Sequence, residues 1–459
     1  MFNKRLLFIS CLLLIASLLI SSCAPAATSP PESPPETTEE VAPPEAATAE
    51  PTAGEAAPPE SEVVELTFFE RNNAPATWGE MNWVVDSFNE KFAGQIHVTI
   101  SGVDGVTFRT KAPIELRSET PPDVFFAWEG GWAQKMIDAG FAAPLDEYYE
   151  KYGWEELLSE GAISLATFDG TKYFVPYEMS AAMMWYRPDV YEENGVSVPE
   201  NWDEFLSNCE VFKANGISCL LLANQGKWQA QFEWTSYYVN SSGLDTYNSL
   251  INNEIPWTDP SVVEAFAAMR NLAEQGYLYP GWNSIDLTPG TIPFSQGEAA
   301  NWFQGVWMIN IFKGEEADIP YEVDFFPFPQ VGDRPPVTSI FAENTVMIHA
   351  NSPHQDEAAE FINYLISLEA QQHKVDSQLP YPANVNADLS PLIPLAQEAG
   401  DAVADASEFT FMHVDHQFDP AIADVFLNQL QAALDGAVTP EQAAEAVEAE
   451  AVKVRGPVP

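Results

Sequence analysis

The chain has 459 residues, 12% of them aromatic, and a formal charge of −49 from 19 Lys and Arg against 68 Asp and Glu. A field of that sign excludes nucleic acid and anionic ligands gathered by bulk charge, and it suits a neutral small molecule; a saline habitat gives the same excess of acid. The length allows two domains with sizeable cores.

The chain opens with Lys4-Arg5, an apolar run from Leu6 to Ile20, and then Ser21-Ser22-Cys23. A positive start, a short apolar stretch and small residues before a cysteine predict a secretory signal over residues 1–22 and no spanning helix. Ile20-Ser21-Ser22-Cys23 resembles the bacterial lipobox, which implies lipid on Cys23 and an extracytoplasmic protein whose only membrane contact is that anchor. Residues 23–62 are Pro, Ala, Thr and Glu with no aromatic or basic side chain, so they cannot bury enough surface to offset ordering entropy. They read as a disordered tether with a reach of at most ~120 Å, at ~3.1 Å per residue. Residues 63–459 then carry a net charge of −42.

Val63–Glu70 predicts a buried strand, Trp78–Phe92 a helix and Ile96–Ile100 a second strand, a βαβ opening that implies a parallel sheet. Open α/β sheets bind ligands at the carboxyl ends of their strands, which makes Glu70, Arg71 and Asn72 site candidates against simple loop polarity. Val124-Phe125-Phe126-Ala127, flanked by Pro and Gly, predicts a fully buried strand that brings Trp128 and Glu129 to the same rim. Phe168-Asp169-Gly170-Thr171 reads as a tight hairpin. Asn201 is the expected N-cap of a helix whose core face carries Phe205, Cys209 and Phe212. Cys219 falls in the strand that follows, and helix-to-strand packing in an oxidising compartment favours a Cys209–Cys219 disulfide over two buried thiols.

Further along, the loop Asn224–Trp228 opens at a sheet edge and offers Gln225 and Trp228 as candidates. A short helical pattern through Gly297-Glu298-Ala299-Ala300 runs into Asn301-Trp302-Phe303-Gln304, and Gly305 permits a tight turn before Trp307. Trp302 and Trp307 are either core aromatics or a means of pushing an indole into a cleft, with Asn301 and Gln304 beside it for hydroxyls; Trp282 joins the same aromatic pool. Glu343-Asn344 interrupts the apolar run of a strand over Ser339–His349. Pro353–Leu368 and Ala421–Val452 read as helical. His413 and His416 are the only near-neighbour histidines, and without a supporting scaffold motif they read as a polar loop, with a metal site as the alternative. No phosphate loop, nucleophile elbow or zinc motif appears, and abundant carboxylates alone do not make a glycosidase.

Phe294-x-x-Gly297-x-Ala299-Ala300, six residues and Trp307 resemble the signature of extracellular solute-binding proteins of the maltose-binding type, the sugar-capturing subunits of ABC importers. Gly140-Phe141-Ala142-Ala143-Pro144-Leu145-Asp146, Pro199-Glu200-Asn201-Trp202-Asp203-Glu204 and Gly436 followed by Thr439-Pro440-Glu441 match the same family in the same order, while Arg187-Pro188 depart from it. The resemblance implies an α/β, two-lobed periplasmic-binding-protein fold, each lobe a mainly parallel sheet flanked by helices, with a ligand cleft between. By the family pattern, residues 63–179 with 340–376 form lobe 1 and residues 180–339 with 377–459 lobe 2. Tyr177 and Glu178 become hinge-side cleft residues, and Trp307 stacks on a sugar. The implied protein is a non-enzymatic monomer without cofactor that binds a sugar or oligosaccharide and delivers it to permease subunits. A receptor of the same fold for a polyamine or similar solute, and an anchored sensor or adhesin, are the alternatives.

Overall fold

The computed structural model describes residues 63–71, 75–312, 319–379, 381–404 and 413–459. The expected signal segment, Cys23, the tether and Asn72 lie outside them. Ten strands are present among the described residues: β1 Val64–Arg71, β2 Ile96–Val103, β3 Val124–Ala127, β4 Thr167–Phe168, β5 Thr171–Lys172, β6 Val175–Tyr186, β7 Ser218–Leu220, β8 Ala299–Gly305, β9 Asp324–Phe326 and β10 Ile340–Ile348. β4 and β5 form a separate hairpin, turned by Asp169 and Gly170 at φ of 49° and 83°.

The remaining strands form one hydrogen-bonded path in the order β2-β1-β3-β10-β6-β8-β7, with β9 on β6. β1 pairs in parallel with β2 and β3, as the βαβ pattern predicts, and β7 pairs in parallel with β8. The α/β class is as expected, and the sheet is mixed, because two antiparallel strands, β6 and β10, join the halves. β6 is long enough to pair with β10 along its first half and with β8 and β9 along its second. Eleven of its twelve residues are buried, the exception being Glu178, so apolar packing on both faces holds it as a continuous strand.

Helices cover both faces. Phe68, Phe88 and Phe361 cluster in the half built on β1, and Trp234, Trp257, Phe266 and Phe426 in the half built on β8. Asn201 caps the helix Trp202–Ala214 by accepting from the Glu204 amide, and Cys209 on that helix is bonded to Cys219 on β7.

Two further readings are revised. Asn301–Gln304 is strand β8, fully buried, and no helical segment runs into it; the helix ends earlier, at Ser295. The run Ala-Ala-Asn-Trp-Phe-Gln lies between β6 and β7, and ladder pairing on both sides decides its state against local pattern. His413–Phe418 contains a short buried helix, Val414–Gln417, and is not an open polar loop.

Candidate functional site

A cleft of about 640 Å³ opens where the carboxyl ends of β1 and β3, the middles of β6 and β10, and loops after β7 and β8 converge. Open α/β sheets leave a crevice at such strand ends because the flanking helices diverge there. One wall is polar. The β10 ladder is interrupted between Ala342 and Thr345, a bulge that lets Glu343 and Asn344, though adjacent, both line the cleft. Arg71 Nη2 donates to Glu343 Oε1 at 3.1 Å and to Asn344 Oδ1 at 2.5 Å. Asn344 Nδ2 donates in turn to Glu178 Oε2, and Lys374 Nζ donates to Glu178 Oε1 at 2.5 Å.

Next to this chain the Tyr177 hydroxyl donates to Glu70 Oε1 at 3.0 Å. Burial pushes the Glu70 carboxyl up to about 8, against the pull of Arg71 and the Tyr177 bond. Near neutral pH this group is therefore a carboxylic acid, able to donate as well as accept. Burial also raises Glu343, which Arg71 opposes, while Arg71 itself is held above its usual value by Glu343 and Glu70 in spite of burial. Glu70 Oε2 and Arg71 Nε are buried with no partner among the described residues. Buried polar atoms of that kind cost free energy until something bonds them.

The other wall is aromatic. Trp228 and Trp307 stand with ring centroids 6.3 Å apart at 57°, forming a corner backed by Phe232, 5.7 Å from Trp307, and by Phe341, 6.1 Å from it. Trp228 is aimed by a loop in which Ala223 and Lys227 take φ of 50° and 65°, conformations that side chains rarely adopt without support. The support is a set of bonds from the Asn224 amide to the Trp282 carbonyl, the Gln225 amide to Ile285, and the Ala230 amide to Asn224 Oδ1. Trp307 is fixed differently. Gly305 has no left-handed φ; it is glycine because a Cβ there would lie 1.9 Å from the Trp307 ring. The role expected for that glycine, a tight turn, is thus replaced by close approach.

Trp128 lines the cleft, yet its ring is already occupied: Phe108, Phe126 and Trp132 meet it edge-on, and the Arg109 guanidinium lies 4.5 Å from its centroid. It acts as a prop for the wall. The free aromatic surface is that of Trp228 and Trp307.

Of the residues singled out in the sequence, Glu70, Arg71, Trp128, Tyr177, Glu178, Trp228, Trp307, Glu343 and Asn344 line this cleft. Glu129, Gln225, Trp282 and Gln304 do not. Glu129 is buried against His416, Gln225 has an exposed side chain, Trp282 is a core ring whose carbonyl braces the Trp228 loop, and Gln304 is buried within β8. Trp302 is core, packed on Phe294 and Phe312. Arg109, Phe341, Lys374, Tyr381, Asp415 and His416 also line the cleft and were not anticipated. Phe341 lies on β10, and the others come from helix faces and the segment around Tyr381, where no local pattern separates a cleft residue from a solvated one.

A model of the bacterial extracellular solute-binding protein family matches residues 76–372. An uncharacterised ABC transporter extracellular-binding protein of Pyrococcus horikoshii is 26% identical over 261 residues, covering 56% of this chain and 58% of its own. The multiple sugar-binding protein of Streptococcus mutans is 26% identical over 235 residues, covering 50% of this chain and 56% of its own. The matched stretches thus span less than two thirds of either relative. Among solved structures, a chitin oligosaccharide binding protein superposes with a TM-score of 0.77 at 23% identity, over 84% of this chain and 98% of that one. That likeness is one of fold, the two-lobed α/β fold of solute-binding proteins.

Proposed function

Since the chain belongs to the bacterial extracellular solute-binding protein family, we propose that it binds a carbohydrate outside the cytoplasm, closes its lobes around it and delivers it to an ABC importer. The observation that carries this reading is the pairing of an indole corner, Trp228 and Trp307, with an opposed wall of carboxyl, guanidinium and amide groups in one cleft. Aromatic faces pack on the apolar C–H face of a pyranose, and the polar wall bonds its hydroxyls; a ligand lacking those hydroxyls leaves the buried groups unpaired. Relatives named for sugars support the class of ligand.

In this reading residues 63–179 with 340–376 form one lobe and residues 180–339 with 377–459 the other. β6, β10 and the segment around Tyr381, which lie side by side through the Met179–Tyr381 bond and the β6–β10 ladder, serve as the hinge. Short crossings lying side by side bend together and resist other motions. Residues 1–22 act as a signal, Cys23 carries lipid, and residues 23–62 hold a monomeric receptor off the membrane within reach of permease subunits.

Titration calorimetry with a panel of chitin, malto- and xylo-oligosaccharides, and with spermidine, tests the proposal. Saturable binding of a sugar supports it. Binding of spermidine alone replaces it with a polyamine receptor, the second reading, which the lining carboxylates Glu80, Asp104 and Asp424 favour.

A further inference from the structure

The helix Gly130–Asp138 follows β3, and the short helix Val414–Gln417 is built into the other half of the molecule: the Asp415 amide donates to Gln231, Phe232 packs on His413 at a tilt, and Trp257 packs on Phe418. These two helices nevertheless meet. Gly131 sits so close to Phe418 that an added Cβ would stand 2.5 Å from its carbonyl carbon and oxygen. Around this contact, Glu129 Oε1 lies 3.3 Å from His416 Nδ1, Arg109 Nη2 is bonded to Asp415 Oδ2, and Lys135 Nζ lies 3.4 Å from Asp419 Oδ1. All three acid–base pairs join the half built on β1 and β3 to the half built on β8.

We propose that Glu129, His416, Asp415 and Arg109 form a proton-sensitive clasp between the lobes, seated on the glycine contact at Gly131, which holds the cleft closed when His416 is charged and releases it when His416 is neutral. The proposal rests on the two-lobed receptor reading above. It turns on His416 as a positioning residue.

The groups facing His416 are Glu129 from the segment before Gly130, Asp415 from its own helix and His413 at that helix's N-cap, Arg109 from the helix Gly105–Glu115, and Glu343 from β10. Burial disfavours the charged imidazole, but Asp415 and Glu129 outweigh it and hold its pKa above the usual histidine value. Burial takes His413 down to about 3, so that ring stays neutral and, of the two rings, His416 is the one that changes charge over the working range. Asp415 is kept below the usual carboxylate range by His416 and Arg109 in spite of burial. Opening separates His416 from Glu129 and lets its pKa fall, so the closed form binds the proton more tightly. By linkage closure is favoured at low pH and weakens as pH rises through the raised value.

Hydrogen exchange on the full chain without added sugar, corrected for intrinsic exchange and compared between about pH 5.5 and about pH 9, tests this. In the parent, protection at Gly130–Met136 and Val414–Phe418 is expected to fall severalfold together at the higher pH, with Pro440–Arg455 unchanged as the internal control. His416→Gln removes the pH dependence. Gly131→Ala, which adds a methyl to a helical position without a left-handed φ, exposes both segments at either pH by steric wedging alone. Equal protection at both pH values in the parent, a pH dependence retained in His416→Gln, or full protection in Gly131→Ala each overturns the clasp. Because no sugar is used, the two ideas fail separately: sugar binding without a pH-dependent clasp leaves the receptor, and a clasp without sugar binding leaves the device.

Discussion

Trp307 covers Gly305 so closely that a Cβ on the glycine would lie 1.9 Å from the indole. The ring is half-buried and lines the cleft, whereas Trp302, three positions before Gly305 on β8's other face, is fully buried in the core. Substitution should separate them. Trp307→Ala is expected to melt near the parent temperature and to lose at least about tenfold in sugar affinity, ~1.4 kcal/mol. Trp302→Ala should cost roughly 3–5 kcal/mol of stability. Gly305→Ala should mimic Trp307→Ala by displacing the ring. Calorimetry with the sugar found by the panel, paired with thermal melts, checks all three.

Glu70 gives a pH dependence with a definite sign. Its folded-state pKa, about 8 against 4.5 for the free side chain, is raised by burial. The folded form therefore binds the proton more tightly, so the contribution to stability is full below about pH 4.5 and is lost as pH rises to about 8. A gap of that size corresponds at most to on the order of 5 kcal/mol. Glu70→Gln should flatten the stability profile in this window. Urea melts of the parent that show no loss of stability across this window would mean that Glu70 is ionised throughout.

Arg71 balances Glu343 inside the protein, so the two should not be additive. Arg71→Ala strands a buried carboxylate and is expected to cost about 3–5 kcal/mol. Adding Glu343→Gln removes the stranded charge, and the double variant should be more stable than Arg71→Ala alone. A double-mutant cycle with zero coupling would falsify the pairing.

The Cys209–Cys219 bond closes a loop of sequence separation 10 between a helix and β7. Neither residue lines the cleft. Replacing both by Ser is expected to cost about 2–4 kcal/mol and to leave affinity for the sugar unchanged. An altered Kd in the variant would show that the loop reaches the site.

Lys374 and Asn344 both bond Glu178, on the one residue of β6 that escapes burial. Lys374→Met should weaken sugar binding by roughly tenfold, since it leaves a Glu178 oxygen without its strongest donor. Unchanged binding would move Glu178 out of the recognition wall.

Periodicity along the chain determined the α/β character of the opening, because buried strands such as Val124–Ala127 and the βαβ unit carry their burial in consecutive residues, while the two-lobed form was implied by the resemblance of ordered motifs to the family. The same local logic found Asn201 as a cap, placed Glu70, Arg71 and Trp128 near strand ends, where sheets open, and marked Glu343 as a break in an apolar strand. Tertiary structure decided the rest. Asn301–Gln304 became a strand because β6 and β7 flank it and supply the ladder bonds that its own pattern does not specify. Gly305 proved to be spacing for an indole, which depends on where a ring two residues away comes to rest. Arg109, Lys374 and His416 reach the cleft from helices whose exposed faces read alike in sequence. Which of those faces turns inward is set by how the two halves of the sheet pack together, and that is a property of contacts between residues hundreds of positions apart, as with Arg109 and Asp415.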